Sequence, residues 1–152
     1  MQKEKENNNN IITSECNTSI TETTATANKS PDRILYVDDD NDILITFKKI
    51  LEDNHFIVDA FSNPLEALSS FKPGVYNLLL IDIKMPQMNG FELNQEIRKK
   101  SNAAKIKTCF ITAYDVFYEP LKKEFPGLDV GCYIRKPIEA KELVNRINKE
   151  LQ

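Results

Sequence analysis

Leu78-Leu79-Leu80-Ile81-Asp82 runs directly into Ile83-Lys84-Met85-Pro86-Gln87-Met88-Asn89-Gly90. A continuous aliphatic run of this length reads as a strand covered on both faces, the pattern of a parallel sheet between helices. A carboxylate at the lip of such a strand, with a Pro- and Gly-containing loop after it, is not explained by packing. The same design recurs. Asp38-Asp39-Asp40 ends the apolar run Ile34-Leu35-Tyr36-Val37, and two further strand-like runs end in Thr112 and in Lys136-Pro137. In an open parallel α/β sheet, ligands bind along the edge formed by the carboxyl ends of the strands. Acids, a hydroxyl and an ammonium are therefore expected to meet there.

Outward from these runs the chain alternates strand and helix. Ile34–Val37, Phe56–Phe61, Leu78–Ile81, Lys107–Thr112 and Gly131–Arg135 read as five strands. The helices expected between and after them cover Asp42–Asn54, Pro64–Phe71, Gly90–Lys100, Asp115–Phe125 and Glu139–Leu151. Asn63-Pro64 is a start signal, a capping Asn with Pro at the first helical position. Pro73-Gly74 is the matching stop. Five such units give a doubly wound five-stranded parallel sheet of order 2-1-3-4-5. Residues 1–31 are of another kind: an Asn tract and a Thr/Ser/Asn-rich stretch, with no aromatic residue before Tyr36. Such a segment buries too little apolar surface to offset its ordering entropy, so a disordered tail over 1–31 and a folded domain over 32–152 are expected.

Composition excludes several classes. The 152 residues carry a net charge of -3, so there is no basic excess for direct nucleic-acid binding. Three cysteines (Cys16, Cys109, Cys132) are an odd count without CxxC, which indicates neither a disulfide framework nor a zinc knuckle. Cys109 and Cys132 fall in strands and are expected to be reduced, buried apolar residues. No apolar stretch is long enough to cross a membrane, and the amino terminus lacks a signal-peptide core. Membrane insertion is not expected, and a cytoplasmic location is.

Converging carboxylates raise one another's pKa unless a cation joins them. A hard cation with oxygen ligands, Mg²⁺ in particular, suits two or three carboxylates plus a substrate phosphate. Helix capping explains one acid after the first strand, and Asp40 or Asp42 can serve it, but three in a row exceed that need. The helix nearest Asp82 starts close to Asn89, too far for Asp82 to cap. A carboxylate so placed can attack phosphorus and form an acyl phosphate. Thr112 alone reads as an ordinary strand residue and Lys136 alone as a solvated charge. Beside the acids, the lysine can pair with a phosphoryl oxygen, and Lys136-Pro137 is a candidate cis peptide.

The segments ILYVDDD, LLLIDIKMPQMNG, FITAY and YIRKPI, in this order and spacing, resemble the receiver domain of two-component response regulators over about Arg33 to Gln152, the stand-alone chemotaxis type included. The resemblance implies a flavodoxin-like receiver fold that acts as a phosphoacceptor rather than as an enzyme on other substrates. It implies phosphorylation of Asp82, with Mg²⁺ held by Asp38, Asp39, Asp82 and the backbone carbonyl of Lys84. Thr112 would bond one phosphoryl oxygen and Lys136 another, and Tyr133 matches the family's switch aromatic. Its partners would be a sensor histidine kinase or phosphotransfer protein upstream. Downstream, an effector would dock on the face of the fourth helix, fifth strand and fifth helix, and the length leaves no room for a following output domain. Lys84 and Tyr114 flank the site at positions that vary in the family. His55, the single histidine, is expected on the surface.

Two enzyme-like rivals fail on sequence. A flavodoxin-type carrier needs a hydroxyl- and glycine-rich phosphate loop where this chain has DDDND, and a haloacid-dehalogenase-type phosphatase carries D-x-D where position 84 is Lys. The alternative is a receiver fold used as a phosphorylation-independent interaction module, against which Asp39, Asp82, Thr112 and Lys136 all stand.

Overall fold

A computed structural model of the chain describes residues 29–100, 106–114, 123–126 and 131–152. The tail expected over 1–31 lies outside these residues up to position 28, as do Cys16 and most of the helix expected over 115–125. Five strands, β1 (Arg33–Val37), β2 (Ile57–Phe61), β3 (Leu78–Asp82), β4 (Lys107–Thr112) and β5 (Cys132–Arg135), form one parallel sheet of order β2-β1-β3-β4-β5. The expected topology is the observed one. Helices α1 (Asn41–Asp53), α2 (Pro64–Ser70), α3 (Gly90–Lys100) and a C-terminal helix (Ala140–Leu151) flank it.

The strands are continuously apolar because successive residues feed opposite faces, and both faces are covered. Ile34, Tyr36, Leu78, Leu80, Ile111 and Ile134 point to one side. There they join Phe47 and Leu51 of α1 and Leu143 and Ile147 of the C-terminal helix. Leu35, Val37, Leu79, Ile81 and Phe110 point to the other, against Ala67 of α2 and Phe91, Leu93 and Ile97 of α3. The helix starts follow the local chemistry. Asn63 caps α2 by accepting from the Leu65 and Glu66 amides. Asp40 caps α1 by accepting from the amides of Asp42 and Ile43. Asn89 accepts from the Phe91 and Glu92 amides at 2.9 and 3.0 Å, while the Glu92 carboxylate accepts from the Asn89 amide, a reciprocal capping box. Asp82 therefore has no capping duty.

One correction to the sequence reading lies in the core. Cys109 and Cys132 are joined in a disulfide, not reduced. The cause is register: the two are direct neighbours on β4 and β5, with Cα atoms 4.5 Å apart, inside the range a disulfide spans. Counting cysteines and their spacings carries no information on cross-strand pairing.

Gly90 sets how closely α3 approaches the end of β3. Its amide donates to the Ile83 carbonyl at 2.9 Å, and a Cβ built there would overlap the Asp82 carbonyl oxygen. The obstacle is backbone, which cannot rotate aside. Gly90→Ala should therefore destabilise the fold by about 1–3 kcal/mol in denaturant titrations, the range of overpacked sites. A change below the error of such titrations would mean that the loop after β3 yields easily.

Candidate functional site

The strand order reverses beside β1, whose neighbours are β2 and β3, and the crevice beyond that point holds the predicted residues. Asp38 follows β1, Asp82 ends β3, Thr112 ends β4 and Lys136 follows β5. Carboxylate oxygens of Asp38, Asp39 and Asp82 all lie within 4.8 Å of one another. Asp38 is fully buried and Asp82 is 5% exposed, whereas Asp39 faces solvent. The Lys136 ammonium reaches between them, 2.9 Å from Asp38 Oδ2 and 3.5 Å from Asp82 Oδ1. The Lys136-Pro137 bond is cis, as its sequence suggested.

The two buried acids are held differently. Asp38 accepts from the Tyr36 hydroxyl at 3.0 Å, from the Asp40 amide at 3.1 Å and from Lys136. Tyr36 was legible only as a core aromatic, although residues two apart on a strand share a face. Burial, and after it the charge of Asp38, drives the Tyr36 phenol far above its ordinary range, so it remains a neutral donor. Asp82 has a looser environment. Burial pushes its carboxyl up to about 6; the Lys136 charge opposes this, and Asp38 adds to it. For Lys136, burial acts to lower the pKa, but the hydrogen bond and charge of Asp38, then Asp82, outweigh it and the net direction is upward. The lysine stays protonated and the acid is ionised near neutral pH.

The remaining candidates surround this centre. Thr112 is 3% exposed, and its hydroxyl oxygen accepts from the Tyr114 amide at 3.2 Å. Tyr133 packs its ring on Phe110, centroids 5.8 Å apart. Lys84, in the loop after β3, sets its ammonium 4.2 Å from the centroid of the exposed Tyr114 ring, joining the two loops that flank Asp82. His55 is exposed at the end of α1, with a positive φ, and takes no part.

Three carboxylates, one of them open to solvent, form an all-oxygen donor set for a hard divalent cation. A single ammonium leaves their charge only partly balanced. The residues therefore fit Mg²⁺, and Asp39 is the side from which an ion with its waters would enter.

Residues 34–148 match the family model described as response regulator receiver domain. The chain belongs to the response regulator receiver family. Among curated relatives, a probable transcriptional regulator of Pyropia yezoensis is 34% identical over 113 residues, covering 72% of this chain. That match takes in 49% of the relative, so the chain spans about half the length of such proteins. Among solved structures, a CheY-like receiver domain protein of Methanospirillum hungatei JF-1 is 32% identical with a TM-score of 0.69, covering 80% of this chain and 94% of that one. The non-phosphorylated HemR receiver domain of Leptospira biflexa is 30% identical with a TM-score of 0.68, at the same coverage. Receiver domains are signalling phosphoacceptors that work with histidine kinases or phosphotransfer proteins and with effectors. Among the described residues, no helix is long and apolar enough to cross a membrane.

The raised Asp82 carboxyl has a consequence for stability. Its folded pKa of about 6 stands above the ordinary 3.8, so between these values the folded protein holds a proton that the unfolded chain has released. Stability should fall as pH rises through that window and stay lower above it. In Mg²⁺-free buffer at pH 7, Asp82→Asn should therefore stabilise the protein by roughly 1–3 kcal/mol, with little gain at pH 4. Denaturant titration at the two pH values measures this, and a destabilised variant at pH 7 would contradict it.

Proposed function

We propose that this receiver domain is phosphorylated on Asp82 with Mg²⁺ bound, in a two-component or phosphorelay pathway, and signals through a partner protein. The observation that carries the proposal is the convergence of Asp38, Asp39 and Asp82 within 4.8 Å, with the Lys136 ammonium against two of them. No packing or capping role accounts for it.

In this reading the ionised Asp82 carboxylate attacks the phosphorus of a phosphohistidine, on a sensor kinase or phosphotransfer protein, or of a small acyl phosphate. An O–P bond forms as the donor's bond to phosphorus breaks, and the product is an acyl phosphate. Asp38, Asp39, Asp82 and the Lys84 carbonyl would hold the cation, which would supply neutralisation of the charge that develops during transfer. Asp38, fixed by three donors, keeps its oxygen in place. Lys136, already at 3.5 Å from Asp82, pairs with one phosphoryl oxygen, and Thr112 turns its hydroxyl towards another. Tyr133 follows Thr112 inward, and the altered face of β5 and the helices beside it presents the signal to the effector. The compartment in this reading is the cytoplasm. The Lys84–Tyr114 contact sits across the two flanking loops, where it obstructs water approaching the acyl phosphate in line.

Incubation with acetyl phosphate and Mg²⁺, read by intact mass and peptide mapping, should add one phosphate at Asp82. The label should be absent with EDTA and in Asp82→Asn. Labelling elsewhere, with Asp82 unmodified, would overturn the assignment, and no labelling under any donor would favour a phosphorylation-independent module. After donor removal in Mg²⁺ buffer, Lys84→Ala should lose the phosphate severalfold faster than the unaltered chain, and an equal or slower rate would remove the lysine from the timing.

A further inference from the structure

The Cys109–Cys132 bond has no part in phosphoryl chemistry, yet its position is specific. The next register pair along the same two strands is Phe110 with Tyr133, and the one after Ile111–Ile134 is Thr112 with Arg135. The disulfide thus ties β4 to β5 one residue before the Phe110–Tyr133 ring contact, on the opposite face of the sheet. At the other end of the pairing, the Lys136 amide donates to the Thr112 carbonyl at 2.8 Å. The strands that carry the hydroxyl, the aromatic and the lysine of the site are fastened at both ends, at one of them covalently.

Both cysteines belong to the buried core, but they differ in their distance from the surface. Cys109 is fully buried, but Cys132 is 7% exposed. It opens into a groove lined by Gly131, Cys132 and Tyr133 on the strand side and by Arg146, Lys149 and Glu150 on the helix side. A Glu150 carboxylate oxygen lies within 4.8 Å of both sulfurs, placed to take up or return a thiol proton. Cys132 lines this groove and Cys109 does not, which makes Cys132 the partner that an incoming thiol or disulfide meets first in thiol–disulfide exchange.

We propose that Cys109 and Cys132 are a redox modification site, a dithiol–disulfide couple served by small-molecule thiols and disulfides entering this groove, whose oxidised form restrains the movement of Tyr133. The Cys132 thiolate attacks one sulfur of a small disulfide, breaking its S–S bond and releasing one small thiol. The Cys109 thiolate then attacks the Cys132 sulfur and releases the second. The two protein thiols lose two electrons and two protons, and the small disulfide, now two thiols, gains them. Reduction is the reverse. In the dithiol form two sulfurs must move from bonding to van der Waals separation inside a close-packed core, so side chains turn or the strands part at this pair. The freedom gained is next to Tyr133. The coupling rests on the receiver reading given above, whereas the couple itself does not.

The test uses the full chain with Cys16→Ser, which confines thiol chemistry to the pair. It is equilibrated in buffers of graded reduced-to-oxidised glutathione ratio, acid-quenched, alkylated and weighed intact, with and without phosphorylation by acetyl phosphate and Mg²⁺. We expect a reversible loss of two hydrogens across the series, and a midpoint that phosphorylation shifts about fivefold or more towards the dithiol, as reciprocal linkage demands. Glu150→Gln should slow oxidation without altering labelling of Asp82. A pair that stays dithiol, or stays disulfide, at every ratio overturns the redox site. A reversible pair whose midpoint ignores phosphate on Asp82 overturns the coupling, and phosphate missing from Asp82 at every ratio overturns the receiver reading instead.

Discussion

One ammonium stands between two buried carboxylates, and the rest of the site is arranged around that shortage of positive charge. Removing carboxylates from water is costly unless each is paired or hydrogen-bonded. The structure meets the cost unequally. Asp38 is fully satisfied by Tyr36, the Asp40 amide and Lys136. Asp82 has the longer 3.5 Å contact and a carboxyl raised to about 6. A saturated acid positions; an under-compensated one is available to a cation or to phosphorus. The difference between two residues of the same type is set by their neighbours alone.

The fold exists in the form it does because this arrangement has to come from four separate strands. Parallel strands bring their carboxyl ends to one edge, and helices on both faces keep that edge rigid. Gly90 lets α3 approach the β3 end so closely that the loop bearing Lys84 has little freedom at its base. A polar link on the same side ties α3 to the entrance of β4. Thr108 donates to Asn94 at 3.1 Å, and Arg98 donates to Thr108 at 3.0 Å and to the Ile106 carbonyl at 3.1 Å. Groups that must hold a geometry sit on such rigid elements, while the contact of Lys84 with Tyr114 spans the loops.

The strands were legible because burial on both faces leaves a contiguous apolar run, a signal needing no knowledge of partners. Asp82 and Asp38-Asp39 were legible because acids have no reason to end such runs. The start of α2 followed from Asn63-Pro64, whose asparagine bonds its own backbone neighbours, whereas the Asn89–Glu92 box came to light only in the structure. What escaped needed register or depth. The Cys109–Cys132 bond depends on how β4 is set against β5. The Asn94–Arg98–Thr108 link joins residues that look like ordinary helix and strand surface. Tyr36 is intermediate: its two-residue spacing from Asp38 was visible, but that its hydroxyl would be buried against that acid was not.

The account stands on the proposal that the acidic cluster binds a divalent cation which Asp39, on its solvent side, helps to admit. Calorimetric titration of the chain with Mg²⁺ at pH 7, repeated on Asp39→Asn, tests this most directly. One ion per chain should bind, with affinity falling at least about tenfold in the variant, the order of effect expected when a ligand is lost. Equal Mg²⁺ binding by both proteins, or none by the unaltered chain, would contradict the account.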